Sequence, residues 1–438
     1  MAKKPLPIVT VTLDKIVGGG QTLGTLEDGR KLFVWGGLPR ETVEVQLTKK
    51  KSSYAEGRVV NVITASNERI EPKDHESYLS TSPWQIMPLA SEQHYKAALI
   101  EEAFELHDIV LPNPIEIYSD GREYNYRNKV EFSWYSTIDE SGQEKLDLAF
   151  FRRGSKGKIP VDACALLPDP MMLLAREIRD YLQGIHITAR QLKTLLIRSD
   201  RDNNLVWQLY IKDESCEWLS AAAVTRFDAQ GGEVIYSNPK SPASVITTRL
   251  LSVGDVTLSD TILDIPFRYA TEGFFQINLP VYEQALRDMQ QWIPVDKPTV
   301  DLYSGVGTIG LTIGSPDTTL VEINEHAVRE MEQNVVRLKS KATPILAASE
   351  QALEYITTDK TIIIDPPRAG LHDDVITRLL DTQPERIVYL SCNPVTQARD
   401  VAKLAEKYGI RAHKGYNFFP KTPHIEHLVI LDLKSIAA

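Results

Sequence analysis

Hydrophobic and polar positions alternate in short runs over the first 66 residues. The run from Val9 to Leu13 has a period of two, which is typical of a β-strand. Three further runs of this kind follow, at 31–34, 42–47 and 57–63. Turn residues such as Gly18-Gly19-Gly20 separate them, and several short strands at this spacing predict a small OB-like β-barrel.

Residues 67–271 mix helical and strand periods. From Ser91 to His107, apolar residues recur three and four positions apart, which predicts a helix. From Leu195 to Ile211, two apolar runs flank the turn-forming cluster Asp200–Asn204, which predicts a β-hairpin. We therefore expect a mixed α+β central domain over this range.

Strand and helix patterns alternate from residue 272 to residue 438. Short apolar runs lie at 299–303, 319–322, 343–346, 361–364 and 386–390. Such alternation predicts a doubly wound sheet, whose ligands bind at the carboxyl ends of the strands. The predicted fold class is α/β, with a C-terminal Rossmann-like domain, a mixed α+β central domain and an N-terminal OB-like β-barrel.

The composition is that of a globular chain in a reducing compartment. Of 438 residues, 42% are hydrophobic and 25% are charged, which suffices for a buried core without disulfides. The three cysteines, Cys164, Cys216 and Cys392, are sparse and odd in number. The N-terminus lacks the apolar stretch of a signal peptide, and no run approaches the roughly 18 apolar residues of a membrane span. We predict a cytoplasmic protein with no membrane partner.

The distribution of charge changes the interpretation of a net charge of −10. Residues 1–70 hold 11 Lys and Arg against 7 Asp and Glu, so this segment is basic and the remainder is acidic. Lys49, Lys50 and Lys51 stand beside Tyr54 in a stretch expected to be a loop, and cations beside an aromatic ring suit a nucleic acid. A solubilising loop explains the same residues equally well.

A glycine-rich turn is the first candidate for a ligand site. Asp301–Gly310 leaves a predicted strand and enters a predicted helix, and Gly305 and Gly307 would let a ligand approach the backbone. Glu322 ends the next strand and could bind two ribose hydroxyls. S-adenosylmethionine and NAD both fit this pattern, and a purely structural turn is a third interpretation.

A second motif, Asp365-Pro366-Pro367-Arg368, follows the apolar strand 362–364. The prolines stiffen the loop, which places Asp365 at the carboxyl edge of the sheet. NAD enzymes do not need this element, whereas methyltransferases that act on bases commonly carry a short proline-containing loop here. A rigid surface turn is the alternative.

Cys392 lies between the predicted strand 387–390 and a helix expected to start near Pro394. A helix N-terminus favours the thiolate, which is the nucleophilic form of cysteine. A lone cysteine is more often a small buried hydrophobic residue, but its position between strand and helix favours the nucleophile.

Glu426, at the start of the last apolar run, is the candidate general base. His424 and His427 are alternatives for that role, and a solvated charge is the plainer interpretation of Glu426.

Together these motifs resemble those of the RNA uracil-5-methyltransferases, which include bacterial 23S rRNA and tRNA enzymes. The matching segments occur in the family's order: Phe274–Asn278, Gly305–Gly310, Asp365–Leu371, Ser391–Pro394 and His424–Glu426. The first 60 residues or so resemble a TRAM domain, an OB-like RNA-binding module, in three features: the glycine-rich turn, Trp35–Pro39 and Glu56–Val59.

The resemblance implies methylation of carbon 5 of a uracil that has left its stack, with Cys392 as nucleophile and Glu426 as base. It implies S-adenosylmethionine as cofactor, contacted by Gln276, Tyr303, Glu322 and Asp365. It also implies phosphate contacts by Arg127 and Lys129.

The implied domains are a TRAM domain at 1–66, a central RNA-binding domain at 67–271 and a catalytic domain at 272–438. In the family the segment at 91–118 packs with the catalytic domain, so the central domain is expected to be discontinuous.

One departure from the family concerns an iron–sulfur cluster that many relatives hold through four cysteines. Thr81-Ser82-Pro83-Trp84 stands where a Cys-Gly-Gly-Cys would, and only Cys164 remains of the set. One thiolate cannot hold such a cluster. We therefore predict no iron–sulfur cluster and no metal.

The sequence leaves two candidate RNA targets and two other functions open. The TRAM-like segment favours 23S rRNA as partner, and the tRNA T-loop uridine is the alternative. A nicotinamide-dependent oxidoreductase is a second hypothesis, which leaves Cys392 and the Pro-Pro loop unexplained. An inactive RNA-binding protein is a third, which the intact Cys392, Glu426 and Asp365 disfavour. No pattern in the sequence predicts an oligomeric state.

Overall fold

The computed structural model describes residues 6–138 and 142–434. Contacts divide the chain into two compact units. The first unit holds the residues up to 95 together with 121–256 and 419–423, and the second holds 96–120, 257–418 and the residues from 424 onward. The three-domain division expected from the sequence is a finer partition and stays a prediction.

The first unit begins with a closed barrel, which confirms the predicted OB-like architecture. Its strands, joined in the order β1-β2-β3-β5-β4, are β1 (Ile8–Ile16), β2 (Thr22–Thr25), β3 (Lys31–Trp35), β4 (Thr42–Lys50) and β5 (Tyr54–Thr64). Their alternating side chains fill the barrel with apolar residues such as Leu13, Val34 and Val45. Lys49 and Lys50 end β4, so their predicted location in a loop is wrong. The strand is longer because β4 keeps pairing with β5 up to Lys50.

Two helices and a short strand follow the barrel: α1 (Tyr78–Thr81), α2 (Leu89–Glu105) and β6 (Ile117–Tyr118). The helix predicted for 91–107 is confirmed as α2, displaced by two residues. Its buried apolar positions Leu99, Ile100 and Phe104 show the spacing that predicted it.

A mixed sheet completes the first unit. Its strands and the two helices between them are β7 (Lys129–Ile138), β8 (Glu144–Phe151), β9 (Lys158–Pro160), α3 (Asp169–Gly184), β10 (Leu192–Ser199), β11 (Leu205–Ile211), α4 (Ala221–Val224), β12 (Gly231–Tyr236) and β13 (Thr248–Gly254). The strand order is β13-β12-β11-β10-β7-β8-β9. The predicted hairpin is confirmed as β10–β11, and the Asp200 carboxylate closes its turn by accepting from the N–H groups of Asp202 (3.0 Å) and Asn204 (2.9 Å).

The second unit alternates strands and helices, as predicted. A hairpin comes first, β14 (Thr257–Ile262) with β15 (Ile265–Ala270). The elements that follow are α5 (Leu279–Gln290), β16 (Thr299–Leu302), α6 (Thr308–Ile313), β17 (Thr318–Glu322), α7 (Glu325–Leu338), β18 (Thr343–Leu346), β19 (Thr361–Ile364), α8 (Asp373–Thr382), β20 (Arg386–Ser391), α9 (Pro394–Leu404), β21 (Tyr408–Tyr416) and β22 (Glu426–Leu433).

The sheet of the second unit has the order β18-β17-β16-β19-β20-β22-β21-β6. Strands β16 to β20 run parallel to one another, and the chain reverses its direction of growth between β16 and β19. Ligands bind at such a switch point, at the carboxyl ends of the strands. Because β22 runs antiparallel to β20, its first residue lies at that same edge. Among the described residues, no helix is both long and apolar enough to cross a bilayer.

Candidate active site

The glycine-rich turn after β16 holds the backbone in a conformation that favours glycine. Gly305 and Gly307 have φ values of 57° and 85°, and a β-carbon on Gly307 would lie 2.9 Å from Leu311. The N–H of Gly305 donates to the Glu322 carboxylate (3.0 Å). The structure therefore brings these predicted residues into contact, and a β-carbon at Gly305 would have no neighbour within 4 Å. Tyr303, with φ of 63°, begins the turn.

Asp301, in β16, is a fully buried carboxyl to which the sequence analysis assigned no role. One oxygen accepts a hydrogen bond from the N–H of Gly310 (2.8 Å), and the other has no hydrogen-bond partner among the described residues. Burial, and then the charges of Asp365 and Glu322, raise the pKa of Asp301 to about 8. An acidic group that ends a buried strand just before a glycine-rich turn was the signal that could have found it.

The loop after β19 carries Asp365 and Arg368 at the carboxyl edge. Burial raises the pKa of Asp365 to about 7. The carbonyl of Arg368 accepts hydrogen bonds from the Asn393 side chain (2.9 Å) and the Thr396 hydroxyl (3.2 Å). These bonds tie the loop to the turn that contains Cys392.

Cys392 lies between β20 and α9, as predicted, and is partly buried. Burial, followed by the negative charges of Glu426 and Asp365, raises the pKa of its thiol to about 11, whereas Arg368 lowers it. The predicted effect of the helix N-terminus in favour of the thiolate is therefore outweighed in the protein without substrate. A helix terminus contributes only about 0.3–1 kcal/mol, which desolvation and two nearby carboxyls outweigh.

Glu426 is the first residue of β22 and is 7% exposed. Its neighbour His427 pairs with Ser391 across β20 and β22, so Glu426 and Cys392 emerge at neighbouring strand ends. Burial and the charge of Asp365 raise the pKa of Glu426 well above its usual value, and the cations Arg368 and Lys96 act in the opposite direction. Glu426 thus lies among groups that control its charge.

Each of the two histidines near Glu426 has a hydrogen-bond partner of its own. His427 points to the opposite face of β22, because neighbouring side chains of a strand alternate. It is fully buried, its Nδ1 pairs with Oε1 of Gln397 (2.7 Å), and burial lowers its pKa well below the usual value. His424 accepts a hydrogen bond from Arg368 (2.8 Å). The structure therefore favours Glu426 over His427 as the group that faces Cys392.

Gln276 lies in the segment between β15 and α5 and is partly buried. Its neighbour Phe275 stacks on Tyr269 with 3.9 Å between the ring centroids, and the Asn278 side chain donates to the carbonyl of Phe418 (3.2 Å). These contacts fix the segment on both sides of Gln276.

The candidate RNA-binding residues belong to the first unit. Lys49 forms an ion pair with Glu56 (2.6 Å) and lies 5.1 Å from the Tyr54 ring centroid, so part of its charge is already neutralised. Lys50 and Lys51 are exposed. Arg127 donates from Nε to the carbonyl of Lys129 (3.1 Å), and Lys129 lies 3.8 Å from Glu131.

The region in which relatives hold an iron–sulfur cluster is filled by protein groups. Gln85 is fully buried and donates to Asp74 (2.7 Å) and to the Ser82 hydroxyl (2.6 Å). The Asp74 carboxylate also accepts from the N–H of Ala165 (2.9 Å), next to the buried Cys164. Within 6–138 and 142–434 no group of three His, Cys, Asp or Glu side chains is placed to hold a metal ion. The absence of a cluster stays a prediction.

Comparison with known proteins agrees with this geometry. The family model described as tRNA (Uracil-5-)-methyltransferase matches residues 349–434, which include Cys392 and Glu426. An RNA methyltransferase of Nitratidesulfovibrio vulgaris is 26% identical over 97% of this chain and 96% of its own length. One from Fusobacterium nucleatum is 28% identical over 98% of this chain and 96% of its own. The chain is therefore similar to RNA methyltransferases over nearly its whole length, and to the uracil-5-methyltransferases over residues 349–434.

The fold of this methyltransferase is shared with a solved structure, the Pyrococcus abyssi tRNA (uracil-54, C5)-methyltransferase in complex with S-adenosyl-L-homocysteine. The two chains are 19% identical with a TM-score of 0.77, and the match covers 96% of this chain and 100% of the other. The family model describes a methyltransferase, which favours a methyl donor over a nicotinamide cofactor.

The carboxyl edge of the methyltransferase sheet fits its cofactor. A carboxylate, Glu322, ends β17 beside the glycine-rich turn, and the open side of Gly305 leaves room against the backbone. One oxygen of Asp301 lacks a hydrogen-bond partner among the described residues. Carboxylates and free backbone around a tight turn suit a nucleoside with ribose hydroxyls.

Two further residues of the methyltransferase site were missed by sequence reasoning. Arg368 was quoted within its motif but given no role, although it contacts His424 and acts electrostatically on both Cys392 and Glu426. Lys96 was not singled out, because its helix lies far from Glu426 along the chain.

Proposed function

We propose that this enzyme methylates carbon 5 of a uridine through a covalent bond between Cys392 and carbon 6 of the ring. The observation that carries the proposal is the position of Cys392 and Glu426 at neighbouring ends of β20 and β22. A thiol and a carboxyl at the same edge suit a ring that is attacked by one group and loses a proton to the other.

The proposed chemistry divides one difficult step into easier ones. Addition of the Cys392 thiolate to carbon 6 makes an enolate, and carbon 5 of that enolate accepts the methyl group. S-adenosylmethionine, when bound, supplies the methyl group. Glu426 then takes the proton from carbon 5, the ring double bond re-forms and the thiolate leaves. Because burial raises the pKa of Cys392 to about 11, its thiol gives up a proton to solvent as RNA binds, and Arg368 is the cation that favours the thiolate.

The proposed cofactor contacts follow the loops at the carboxyl edge. Gly305 and Gly307 give close access to the backbone, and Glu322 binds the ribose hydroxyls. Gln276, Tyr303 and Asp365 complete the set in the proposal.

RNA binding is proposed for the first unit, with residues 1–66 as a TRAM-like domain and 67–271 as a central domain. A groove of about 610 Å³ in this unit is lined by five cations, Lys49, Lys50, Arg58, Arg152 and Arg153. Arg153 also lies 4.3 Å from the ring of Trp35. A groove lined by cations, with an aromatic ring close to one of them, suits a phosphate backbone. Arg127 and Lys129 are proposed as further phosphate contacts.

The groove is tested by the salt dependence of RNA binding. Arg152→Ala should reduce the slope of log affinity against log salt by about one, because one fewer counterion is released. Arg190→Ala, an exposed arginine that does not line the groove, is the matched control and should leave the slope unchanged. Equal slopes for both variants and the unaltered enzyme would contradict this assignment.

The first candidate target is a uridine of 23S rRNA, supported by the TRAM-like barrel. The second is the tRNA T-loop uridine, favoured by the family model and by the solved tRNA enzyme of the same fold. A cytoplasmic location is part of the proposal and is supported by the sparse cysteines. Mapping 5-methyluridine in rRNA and tRNA from a deletion strain, with and without the restored gene, distinguishes the two targets.

The covalent step is tested with RNA that contains 5-fluorouracil. The enzyme should form a denaturation-resistant complex with this RNA in the presence of S-adenosylmethionine, because fluorine at carbon 5 cannot be removed as a proton. Cys392→Ala should bind RNA but form no complex and transfer no methyl group. Cys216→Ala is the control and should behave as the unaltered enzyme. A complex with Cys392→Ala would refute the assigned nucleophile.

A further inference from the structure

Lys96, in the middle of α2, is a lysine with no exposed surface. Lysines are almost never fully buried unless they are paired, so such a position calls for a reason. Its ammonium donates a hydrogen bond to Oδ1 of Asn417 (2.7 Å). Since 321 residues separate the two along the chain, this contact exists only in the folded protein.

Asn417 places the ammonium of Lys96 beside the proposed base. It directly follows Tyr416, the last residue of β21, which pairs in register with Glu426 at the start of β22. The backbone N–H of Asn417 donates to the carbonyl of Tyr118 (2.8 Å), which fixes its position at the end of the strand. Lys96 and Glu426 therefore lie in the same part of the structure. Both are buried there, so water screens their charges only weakly.

We propose that Lys96 is a positioning residue that holds Glu426 in its carboxylate form for removal of the proton from carbon 5. The proposal rests on the function proposed above. In that step the C5–H bond breaks and its proton goes to a Glu426 oxygen. The electron pair of that bond forms the C5=C6 double bond, and the C6–S bond breaks with its pair on the Cys392 sulfur. A neutral Glu426 has no place for the proton.

The charged groups around Glu426 show why a buried cation matters. Burial and Asp365 raise the pKa of Glu426, and Arg368 and Lys96 lower it. Cys392 and Tyr282 also face Glu426, and burial raises the pKa of both. Arg368 is exposed, so solvent weakens its effect, whereas Lys96 is not screened in this way.

Lys96 has an acidic residue on its own helix as well. Glu92 lies one turn earlier in α2 and accepts a hydrogen bond from the backbone N–H of Lys421 (2.9 Å). The negative charge of Glu92 weakens the electrostatic effect of Lys96 on Glu426. The hydrogen bond from Lys96 to Asn417 is a separate contact and remains. We therefore expect that Lys96 still lowers the pKa of Glu426 in the presence of Glu92.

The test compares Lys96→Met and Lys96→Arg with the unaltered enzyme. In Lys96→Met the acidic limb of the kcat against pH profile should move to higher pH by about one unit, a tenfold loss on that limb. The covalent complex with ordinary uracil RNA should accumulate, because its breakdown needs Glu426. The rate of complex formation with 5-fluorouracil RNA should change by no more than about twofold, since that reaction removes no proton. Lys96→Arg should return the acidic limb of the kcat against pH profile to its position in the unaltered enzyme.

Lys212→Met is the matched control. Lys212 is a half-buried lysine of the first unit that donates to the carbonyl of Arg190 (2.9 Å), so its loss should leave the limb in place. If Lys96→Met slows both complex formation and turnover equally without moving the limb, Lys96 is merely structural and the proposal is overturned.

Asn417→Asp is the second variant if Lys96→Met does not fold. The new carboxylate should attract Lys96 and move the limb in the same direction, and an unmoved limb would overturn the proposal. The function proposed above is judged separately, by whether the unaltered enzyme forms the complex with 5-fluorouracil RNA. Absence of that complex would overturn the covalent mechanism itself.

Discussion

Two groups of buried polar side chains in this enzyme are built in opposite ways. In the first unit, Gln85 donates to Asp74 and Ser82, and Asp74 also accepts from Ala165. In this network each hydrogen-bond donor has an acceptor. At the carboxyl edge of the second unit, the carboxyls Asp301, Asp365 and Glu426 all have raised pKa values, and the charge of Asp365 acts on the other two.

The difference separates a structural arrangement from a reactive one. A network in which donors meet acceptors rigidifies the protein and leaves nothing for a ligand to do. Carboxyls crowded into a buried edge are unfavourable unless a ligand or substrate uses them, which is why perturbed groups cluster at functional sites. Changes at the edge should therefore affect activity, and changes in the network should affect stability.

The largest effect is expected from Glu426→Gln. This change keeps the shape of the side chain but removes the proton acceptor, so turnover should fall by about 10²–10⁴-fold. The covalent complex with ordinary RNA should accumulate and be visible on a denaturing gel. Glu354→Gln, an exposed glutamate of the same unit, should leave turnover unchanged. Full activity of Glu426→Gln would remove the base from the mechanism.

Asp301→Asn should change how stability depends on pH. The pKa of Asp301 is about 8 in the folded protein, above the value of about 3.9 expected when unfolded. The folded state thus binds more protons, and the stability due to this group is lost as pH rises from about 4 to 8, by at most about 1.4 kcal/mol per unit.

The asparagine still accepts from Gly310 but does not titrate. Urea unfolding of Asp301→Asn should therefore lose less stability over this range than the unaltered protein, and the exposed control Asp317→Asn should follow the unaltered protein. Parallel curves for all three would show that Asp301 is already ionised.

Gln85→Ala tests the structural network. Removal of the buried amide takes one donor from Asp74 and one from Ser82 and leaves the N–H of Asp74 without its acceptor, which costs about 1–3 kcal/mol of stability. The free energy of unfolding in urea should fall by that amount, while KM for the cofactor stays the same. Gln290→Ala, at an exposed position, should alter neither. A rise in KM would mean that the network reaches the active edge.

The smallest effect on activity is expected when iron is supplied or removed. Protein expressed in iron-rich medium should contain no stoichiometric iron by metal analysis, because Cys164 is the single cysteine of the relatives' set that remains. A chelator should leave activity unchanged, as should Cys164→Ser. Iron bound in proportion to protein would contradict the prediction.

Much of the architecture could be predicted because it depends on local patterns. The barrel strands, α2, the β10–β11 hairpin and the glycine-rich turn all follow from periodicity and turn residues near one another in sequence. The position of Cys392 between strand and helix follows in the same way.

What could not be predicted depends on contacts between distant segments. The pKa of Cys392 is raised by burial and by Glu426 and Asp365, which come from other segments, so reasoning from its own helix could not predict the net direction. Lys49 seemed available to RNA, but the pairing of β4 with β5 brings it to Glu56. The bond between Lys96 and Asn417 joins residues that no local pattern connects.

The antiparallel course of β22 also matters while the protein is being made. This strand lies between β20 and β21 and supplies Glu426, so a chain that stops near residue 420 contains Cys392 but neither Glu426 nor the strand that completes this part of the sheet. A nascent or prematurely terminated chain at this stage exposes unpaired strand edges and is a substrate for chaperones and proteases rather than a catalyst. Under the proposed mechanism, competence for methylation therefore arises only when the last strand of the sheet is in place.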